Sequence, residues 1–286
     1  MGKSACLIVN NLKKNALSFA SEIKTELEKR SIETTIFSFS GKPEKNPSGK
    51  WDIAFSIGGD GTVLYTARCF APMGVPILPV NLGSLGFIAG VDRNEWLTVF
   101  DRWEKGEISL SKRCMFEISV ERNSKIIASS ICMNDVVISS SGIAKLINLS
   151  VHINSNESMT KLGEFRCDGL IAATPTGSTA YSLAAGGPIL DPEMDAMILN
   201  PICPFTLSSR PFVLPLRETI TIIAAKEQRA SLLLTVDGQD TFDLESADKI
   251  NVGKAPLHAL FLYSDMHIYY SALRTKLFKP EGENDA

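Results

Sequence analysis

Histidine is sparse and cysteine is dispersed in this chain. The three histidines, His152, His258 and His267, share no H-E-x-x-H or other ligand spacing. No resident metal centre is expected from them. Cys6, Cys69, Cys114, Cys132, Cys167 and Cys203 include no C-x-x-C pair. That excludes a disulfide-dense secreted scaffold and fits free thiols in a reducing compartment. No apolar run approaches the ~18 residues of a membrane span. Met1–Val9 carries one lysine and too short an apolar stretch for a secretory leader. The expected location is the cytoplasm, with no membrane partner. Positive charge is not in excess: 29 Lys and Arg against 32 Asp and Glu leave −3. A nucleic-acid-binding domain is usually basic, so nucleic acid is not an expected partner. Two common nucleotide loops, G-x-x-x-x-G-K-[ST] and G-x-G-x-x-G, are also missing.

What remains is an ordinary globular composition, 44% hydrophobic and 21% charged. At ~150 residues per domain, 286 residues suggest two domains. The first stretch alternates. Ala5–Val9, Thr34–Phe39, Asp52–Ile57 and Val75–Val80 read as strands. Leu12–Arg30, Thr62–Phe70 and Glu95–Lys105 read as helices, the first with Ala16, Leu17, Ala20, Ile23 and Leu27 at helical spacing. Such alternation implies a Rossmann-like α/β domain with a parallel sheet over residues 1–111. From Lys112 short strand-like runs take over: Phe116–Glu121, Lys125–Ser130, Val136–Ser140, Asn148–Asn154, Gly169–Ala173, Thr219–Ala224, Ser231–Val236, Lys249–Val252 and Ala259–Tyr263. They suggest an all-β domain, a β-sandwich, over residues 112–263. The tail, 264–286, contains a candidate helix at Tyr270–Phe278 that can pack back on the first domain, and a polar end, Glu281–Ala286. A cleft between two domains is a favoured place for a ligand.

Gly58-Gly59-Asp60-Gly61-Thr62 follows a strand and opens a helix. Glycines let a backbone approach phosphate closely, and a helix start offers unpaired N–H groups. Thr62 can cap the helix or bond a phosphate oxygen. Asp60 would repel phosphate unless it has another task, such as holding Mg2+ or accepting a hydroxyl proton in phosphoryl transfer. The alternative is a tight turn with Asp60 as a helix cap. The pentapeptide resembles the phosphate loop of NAD kinases, diacylglycerol and sphingosine kinases, and 6-phosphofructokinases, and does not choose among them.

Three further segments stand out. Asn81-Leu82-Gly83-Ser84-Leu85-Gly86-Phe87 follows a strand, where open α/β sheets place ligands, and Phe87 either stacks on a base or fills core. Asn134-Asp135 interrupts the apolar run Ile131–Ile138; the pair suits ribose hydroxyls or marks a bulge or turn. Thr174-Pro175-Thr176-Gly177-Ser178-Thr179 gathers hydroxyls at the end of a strand; it either presents several donors and backbone N–H groups to a polar ligand or is a Ser/Thr-rich surface loop.

Taken in order, G-G-D-G-T, N-L-G-S-L-G-F, N-D, D-G-L-I-A-A-T-P-T-G-S-T-A-Y-S, G-G-P-I-L-D-P and S-S-R-P resemble the ATP-dependent NAD kinase family, with landmarks from Gly58 to Gln239. The T-P-T-G-S-T-A-Y stretch is the narrow signal. The resemblance implies transfer of the γ-phosphate of ATP to the 2′-hydroxyl of the adenosine ribose of NAD+, giving NADP+ and ADP. It implies Asp60 as the base, and Gly58, Gly59, Gly61 and Thr62 around the triphosphate, with Mg2+ carried on the nucleotide. Phe87 then matches the adenine contact. Asn134 and Asp135 match the ribose and nicotinamide-side pair, and Lys145 and Arg166 the basic positions. Asp168 matches the carboxylate before the hydroxyls. Thr179, Ala180, Tyr181, Ser182, Leu183 and Ala184 match the loop for the nicotinamide half, and Gln239 a late polar contact. Arg166 fits the branch that prefers NAD over NADH. A homodimer or homotetramer is also implied. Two positions depart from the pattern: Phe205 stands where many relatives carry His, and Asp135 where others carry Glu.

Overall fold

The apolar run Ala5–Val9 becomes the wholly buried centre of β1 (Ser4–Asn10). The computed structural model describes residues 2–277 apart from positions 44, 84, 85, 89, 143, 144, 156, 157, 207, 229 and 263–265, and the side chains of 266–268. Ser84 and Leu85 of the second glycine loop, Tyr263, Phe278 and the polar end therefore lie outside the described residues. The chain divides into two compact units, residues 1–112 with 259–286, and residues 113–258.

In the first unit β1 pairs in parallel with β2 (Glu33–Phe39) on one side and β3 (Ile53–Gly58) on the other. Beyond β3 lies β4 (Ile77–Asn81), then the two-residue β5 (Val91–Asp92). In the order β2-β1-β3-β4, the β1–β2 connection runs to one side and the β2–β3 and β3–β4 connections to the other, so a topological switch point falls between β1 and β3. Helix α1 (Ala16–Lys29) buries Ala16, Phe19, Ala20, Ile23 and Leu27, a stripe at helical spacing. It starts later than the expected Leu12 because Asn10 holds a turn: its side-chain oxygen accepts the Leu12 N–H (3.1 Å) and its carbonyl the Lys13 N–H (3.1 Å). Asn15 completes that turn in the left-handed region, φ 64°.

Helix α2 (Asp60–Phe70) begins two residues before the expected Thr62, with Gly59 as its N-cap residue. Neither Thr62 nor Asp60 is therefore the cap. The Thr62 N–H donates to the Gly59 carbonyl (2.9 Å), and a Cβ on Gly58 would overlap the Thr62 hydroxyl. Close approach, not a positive φ, requires glycine at 58. Helix α3 (Trp96–Glu104) packs Trp96 and Phe100 against Phe55 (ring centroids 5.9 and 5.8 Å).

The second unit is antiparallel. Its strands are β6 (Ser111–Arg122), β7 (Lys125–Cys132), β8 (Asp135–Ser140), β9 (Ile147–Ser155), β10 (Ser158–Cys167), β11 (Gly169–Ala173), β12 (Ala196–Ile202), β13 (Phe212–Pro215), β14 (Thr219–Ala224), β15 (Leu232–Val236), β16 (Asp240–Leu244) and β17 (Lys249–Phe261), with a one-turn helix α4 (Tyr181–Ala184) after β11. β6 enters the unit and β17 leaves it. One layer runs β10-β9-β14-β17 and carries β6 and β7; the other runs β13-β12-β11-β8-β15-β16. Phe116, Ile118, Leu149, Ile220 and Ile250 from the first layer meet Val136, Ile138, Leu170, Leu199 and Leu234 from the second in one core. The alternate residues Val137, Ile171, Ala173 and Ile198 are buried on the outer face of the second layer, under Leu190. Strands β8, β11 and β12 are thus covered on both sides, which explains their near-continuous apolar sequence.

β17 is continuous where two strands were expected, because its backbone stays extended through Gly253 and Pro256. The chain then returns to the first unit. Phe261 pairs with Ile77 of β4, the Leu262 N–H donates to the Ile77 carbonyl (2.9 Å), and helix α5 (Met266–Leu277) follows. The expected class, α/β with a parallel sheet followed by an all-β part, is the observed one. Among the described residues no helix is long and apolar enough to cross a membrane.

Candidate active site

Strands β1, β3 and β4 are parallel, so their carboxyl ends, Asn10, Gly58 and Asn81, lie at one edge of the sheet. Loops leaving that edge line a cavity of about 210 Å3. Lys13 comes from the turn after β1; Gly58, Gly59 and Asp60 follow β3; Asn81, Leu82, Gly83 and Gly86 follow β4; Lys276 comes from α5. Asp60 ties the two glycine segments together. Its Oδ2 accepts the Phe87 N–H (3.0 Å) and its Oδ1 the Ile88 N–H (3.2 Å). A Cβ on Gly86 would overlap the Asp60 carboxylate, so only glycine lets the loop come this close. Asn81 shapes the start of that loop: its side chain accepts the Gly83 N–H (3.1 Å) and donates to the Gly83 carbonyl (3.2 Å). Phe87 is half-buried, and the Lys276 ammonium lies 4.5 Å from its ring centroid, cation–π range. Gly61 and Thr62 are not among the residues lining the cavity.

A second cavity, about 380 Å3, lies within the second unit. Asn134, Asp135, Tyr181 and Ala180 line it together with Asp237 and Gly238 of the β15–β16 turn. The turn organises the pair. Asp237 accepts three consecutive backbone N–H groups: Met133 (3.1 Å), Asn134 (2.8 Å) and Asp135 (3.3 Å). Its own N–H donates to the Asp135 carbonyl (2.9 Å). Left-handed φ values at Asp237 (50°) and Gly238 (64°) aim the carboxylate inward. Asn134 Oδ1 is buried with no hydrogen-bond partner among the described residues. A buried acceptor of this kind fits a donor from a ligand.

Asp135 is almost fully buried. Burial first, and the Asp237 charge second, push its carboxyl from the ordinary 3.8 up to about 7; the Tyr181 N–H works against them. The folded chain therefore keeps this proton to near neutrality while the unfolded chain releases it at about pH 4. Stability from this group is full below pH 4 and falls as pH rises toward 7. Asp135→Asn is expected to flatten that slope: the drop in unfolding midpoint between pH 5 and pH 8 should shrink relative to wild type. An unchanged drop would show that Asp135 titrates normally.

The hydroxyl cluster is spent differently from expectation. Thr174 Oγ1 donates to the Met133 carbonyl and accepts the Gly177 N–H (3.1 Å). Ser178 Oγ accepts the Leu190 N–H (3.0 Å), and Thr179 Oγ1 donates to the Thr176 carbonyl (3.2 Å). Ser182 is buried and bonded by the Asn200 side chain, through Oγ (3.3 Å) and its carbonyl (3.0 Å). These groups fold the loop rather than offering donors outward, and Thr176 Oγ1 is the buried hydroxyl among them without a described partner. A Cβ on Gly177 would overlap the Asn134 backbone, so the loop crosses directly over the Asn-Asp pair. The Thr174 N–H donates to the Asn134 carbonyl (2.8 Å) at the same crossing.

The remaining positions lie apart from this cavity's lining. Lys145 and Arg166 are exposed; Asp168, Leu183 and Gln239 are half-buried; Ala184 is exposed. The Arg166 guanidinium lies 4.5 Å from the ring centroid of Phe205, whose N–H donates to the Arg166 carbonyl (2.8 Å). The Phe205 departure thus supplies an aromatic face to a basic residue. Sequence reasoning missed Lys13, Lys276 and Asp237 as lining residues. Position after a parallel strand was the available signal for Lys13. For Lys276 it was the spacing 269, 272, 273, 276, one helix face with the buried Tyr269, Ala272 and Leu273.

Residues 43–108 match the family model described as the ATP-NAD kinase N-terminal domain, and residues 133–263 match the ATP-NAD kinase C-terminal domain. The chain is 40% identical over 278 residues to the NAD kinase of Treponema denticola, covering 96% of each. The chain belongs to the NAD kinase family. Within that family it is also 40% identical over 236 residues to the NAD kinase of Carboxydothermus hydrogenoformans, covering 82% of each chain. Its fold is shared with the yeast NADH kinase complexed with NADH (TM-score 0.85, 24% identity, all of this chain and 90% of that one). It is shared too with an NAD kinase from Archaeoglobus fulgidus in complex with ATP (TM-score 0.74, 23% identity, 95% and 99%).

Proposed function

We infer that the chain phosphorylates NAD at the expense of ATP, producing NADP and ADP. The observation that carries this reading at the site is Asp60: a carboxylate fixed by two backbone N–H groups in the lining of a glycine-rich cavity. In the reaction, Asp60 accepts the proton of the adenosine-ribose 2′-hydroxyl of NAD. The freed oxygen forms a bond to the γ-phosphorus as the bond to the β–γ bridging oxygen breaks, and ADP leaves. Little covalent work falls to the protein, so positioning and charge neutralisation supply most of the rate.

In this reading Gly58, Gly59, Gly61 and Thr62 flank the triphosphate, and Phe87 meets adenine. Asn134 and Asp135 take the ribose and the nicotinamide side; a carboxyl held protonated to about pH 7 by burial and by Asp237 can donate as well as accept. Lys145, Arg166, Asp168, Gln239 and the run Thr179–Ala184 complete the dinucleotide contacts, with Arg166 favouring NAD over NADH. The first unit would serve the phosphates and the second the dinucleotide. Magnesium enters with the nucleotide: Asp60 is the one carboxylate lining the glycine cavity among the described residues, and both its oxygens already accept N–H groups, a donor set suited to a metal carried on ATP. Free thiols at all six cysteines support a cytoplasmic setting. The exposed Phe212 and Val213 on the edge strand β13 support assembly into a homodimer or homotetramer.

Incubating the purified chain with ATP, Mg2+ and NAD and measuring NADP tests the activity; no NADP above background overturns it. Tyr181 lines the second cavity while half-exposed. Tyr181→Ala is expected to raise KM for NAD about tenfold, the loss of ~1.4 kcal/mol of ring contact, with KM for ATP unchanged. Equal loss for both substrates would place Tyr181 outside the dinucleotide site.

A further inference from the structure

The glycine cavity contains two ammonium groups for which the catalytic reading has no use so far. Lys13 sits in the turn that follows β1, and its backbone is fixed on both sides: its N–H donates to the Asn10 carbonyl (3.1 Å) and its carbonyl accepts the Ala16 N–H (3.2 Å). Its Nζ lies 4.0 Å from where a Cβ on Gly59 would stand, over the glycine loop. Lys276 arrives from the last turn of α5, far away in sequence. A lysine there is ordinarily explained by solvent and by the negative end of the helix dipole. This one shares a face with buried Tyr269, Ala272 and Leu273, and its Nζ reaches the Phe87 ring at 4.5 Å. Both side chains line the cavity, and neither is paired with a carboxylate among the described residues.

The electrostatic balance is the second observation. Two lysines against the single carboxylate of Asp60 leave the lining with a positive excess, in a chain whose formal charge is −3. The cavity also presents glycine backbone at the switch point of a parallel sheet, where ligands are received. A narrow cationic space of about 210 Å3 with little apolar side-chain surface suits a chain of phosphates better than a base or a sugar. We propose that Lys13 and Lys276 bind the polyphosphate of the phosphoryl donor, one from each side of the glycine loop, so that the C-terminal helix contributes directly to the donor site. Lysine acts here as a point charge on phosphate oxygens. On transfer, charge moves toward the β–γ bridging oxygen, and fixed ammonium groups beside it stabilise that change.

The proposal rests on the kinase reading and is tested so that the two can fail separately. Wild type, Lys13→Gln and Lys276→Gln are titrated calorimetrically with metal-free ATP, with inorganic tripolyphosphate and with adenosine. Each substitution is expected to weaken ATP and tripolyphosphate about tenfold and to leave adenosine within about twofold. In the NADP-forming assay KM for ATP should rise in parallel while KM for NAD stays put, and Lys→Arg at each position should restore most of the affinity. Unchanged affinity for ATP and tripolyphosphate in both variants overturns the proposal. A rise confined to KM for NAD also overturns it and moves the lysines to the dinucleotide's pyrophosphate. Equal weakening of adenosine overturns it in favour of a structural role. Failure of the wild type to make NADP removes the kinase reading, while the tripolyphosphate titrations still decide the lysines.

Discussion

Asp60→Asn is expected to lower kcat for NADP formation by about 10²–10⁴-fold, the range associated with removing a positioned general base. The substitution keeps the size of the side chain and removes its basicity. Its second effect follows from geometry. Both Asp60 oxygens accept N–H groups, from Phe87 and Ile88. An asparagine has one oxygen and one NH2, so one of those loop amides must face another donor. The second glycine segment should therefore loosen, and KM for ATP should rise a few-fold alongside the fall in kcat. Steady-state kinetics over both substrates separate the two effects. Activity within tenfold of wild type would exclude Asp60 as the base.

The second large effect is expected at Asp237. This buried residue anchors the Asn134-Asp135 pair through three amide acceptances. Asp237→Ala leaves those N–H groups without their acceptor, at ~1–3 kcal/mol for each buried group that finds no replacement. The pair should then sample other geometries, and KM for NAD should rise about a hundredfold with KM for ATP unchanged. Asp237→Asn, which retains one acceptor oxygen, should fall between. The same change removes a negative neighbour from Asp135, so the Asp135 carboxyl should move down from about 7. A pH profile of KM for NAD whose inflection stays put in Asp237→Asn would contradict this account; so would an unchanged KM in Asp237→Ala.

Much of the framework was legible because it depends on local rules. The alternation of apolar runs and amphipathic stripes gave the parallel sheet, and the glycine loops could be located by their place after strands. Strand β10 was harder, since its pattern is mostly polar, and in β12 the buried Asn200 and Pro201 interrupt the apolar run. At the site, residue type was legible and direction was not. Thr174, Ser178 and Thr179 read as donors for a ligand, but their hydroxyls satisfy neighbouring backbone groups instead. Lys13, Lys276 and Asp237 reach their cavities through contacts between distant parts of the chain, which spacing alone does not encode. Asp237 acts on residues about a hundred positions earlier.

The first unit is made of two separated stretches of chain, 1–112 and 259–286. That arrangement constrains biosynthesis. A nascent chain that has emerged only to residue 112 has the glycine loop and Asp60 but neither the Phe261 partner of Ile77 in β4 nor Lys276. Domains usually complete themselves in the order of synthesis. Here the amino-terminal part must wait, with one sheet edge open at Ile77, until the whole intervening unit has left the ribosome. A stop codon within α5 would consequently remove a lining residue from a cavity whose other lining residues are made long before it.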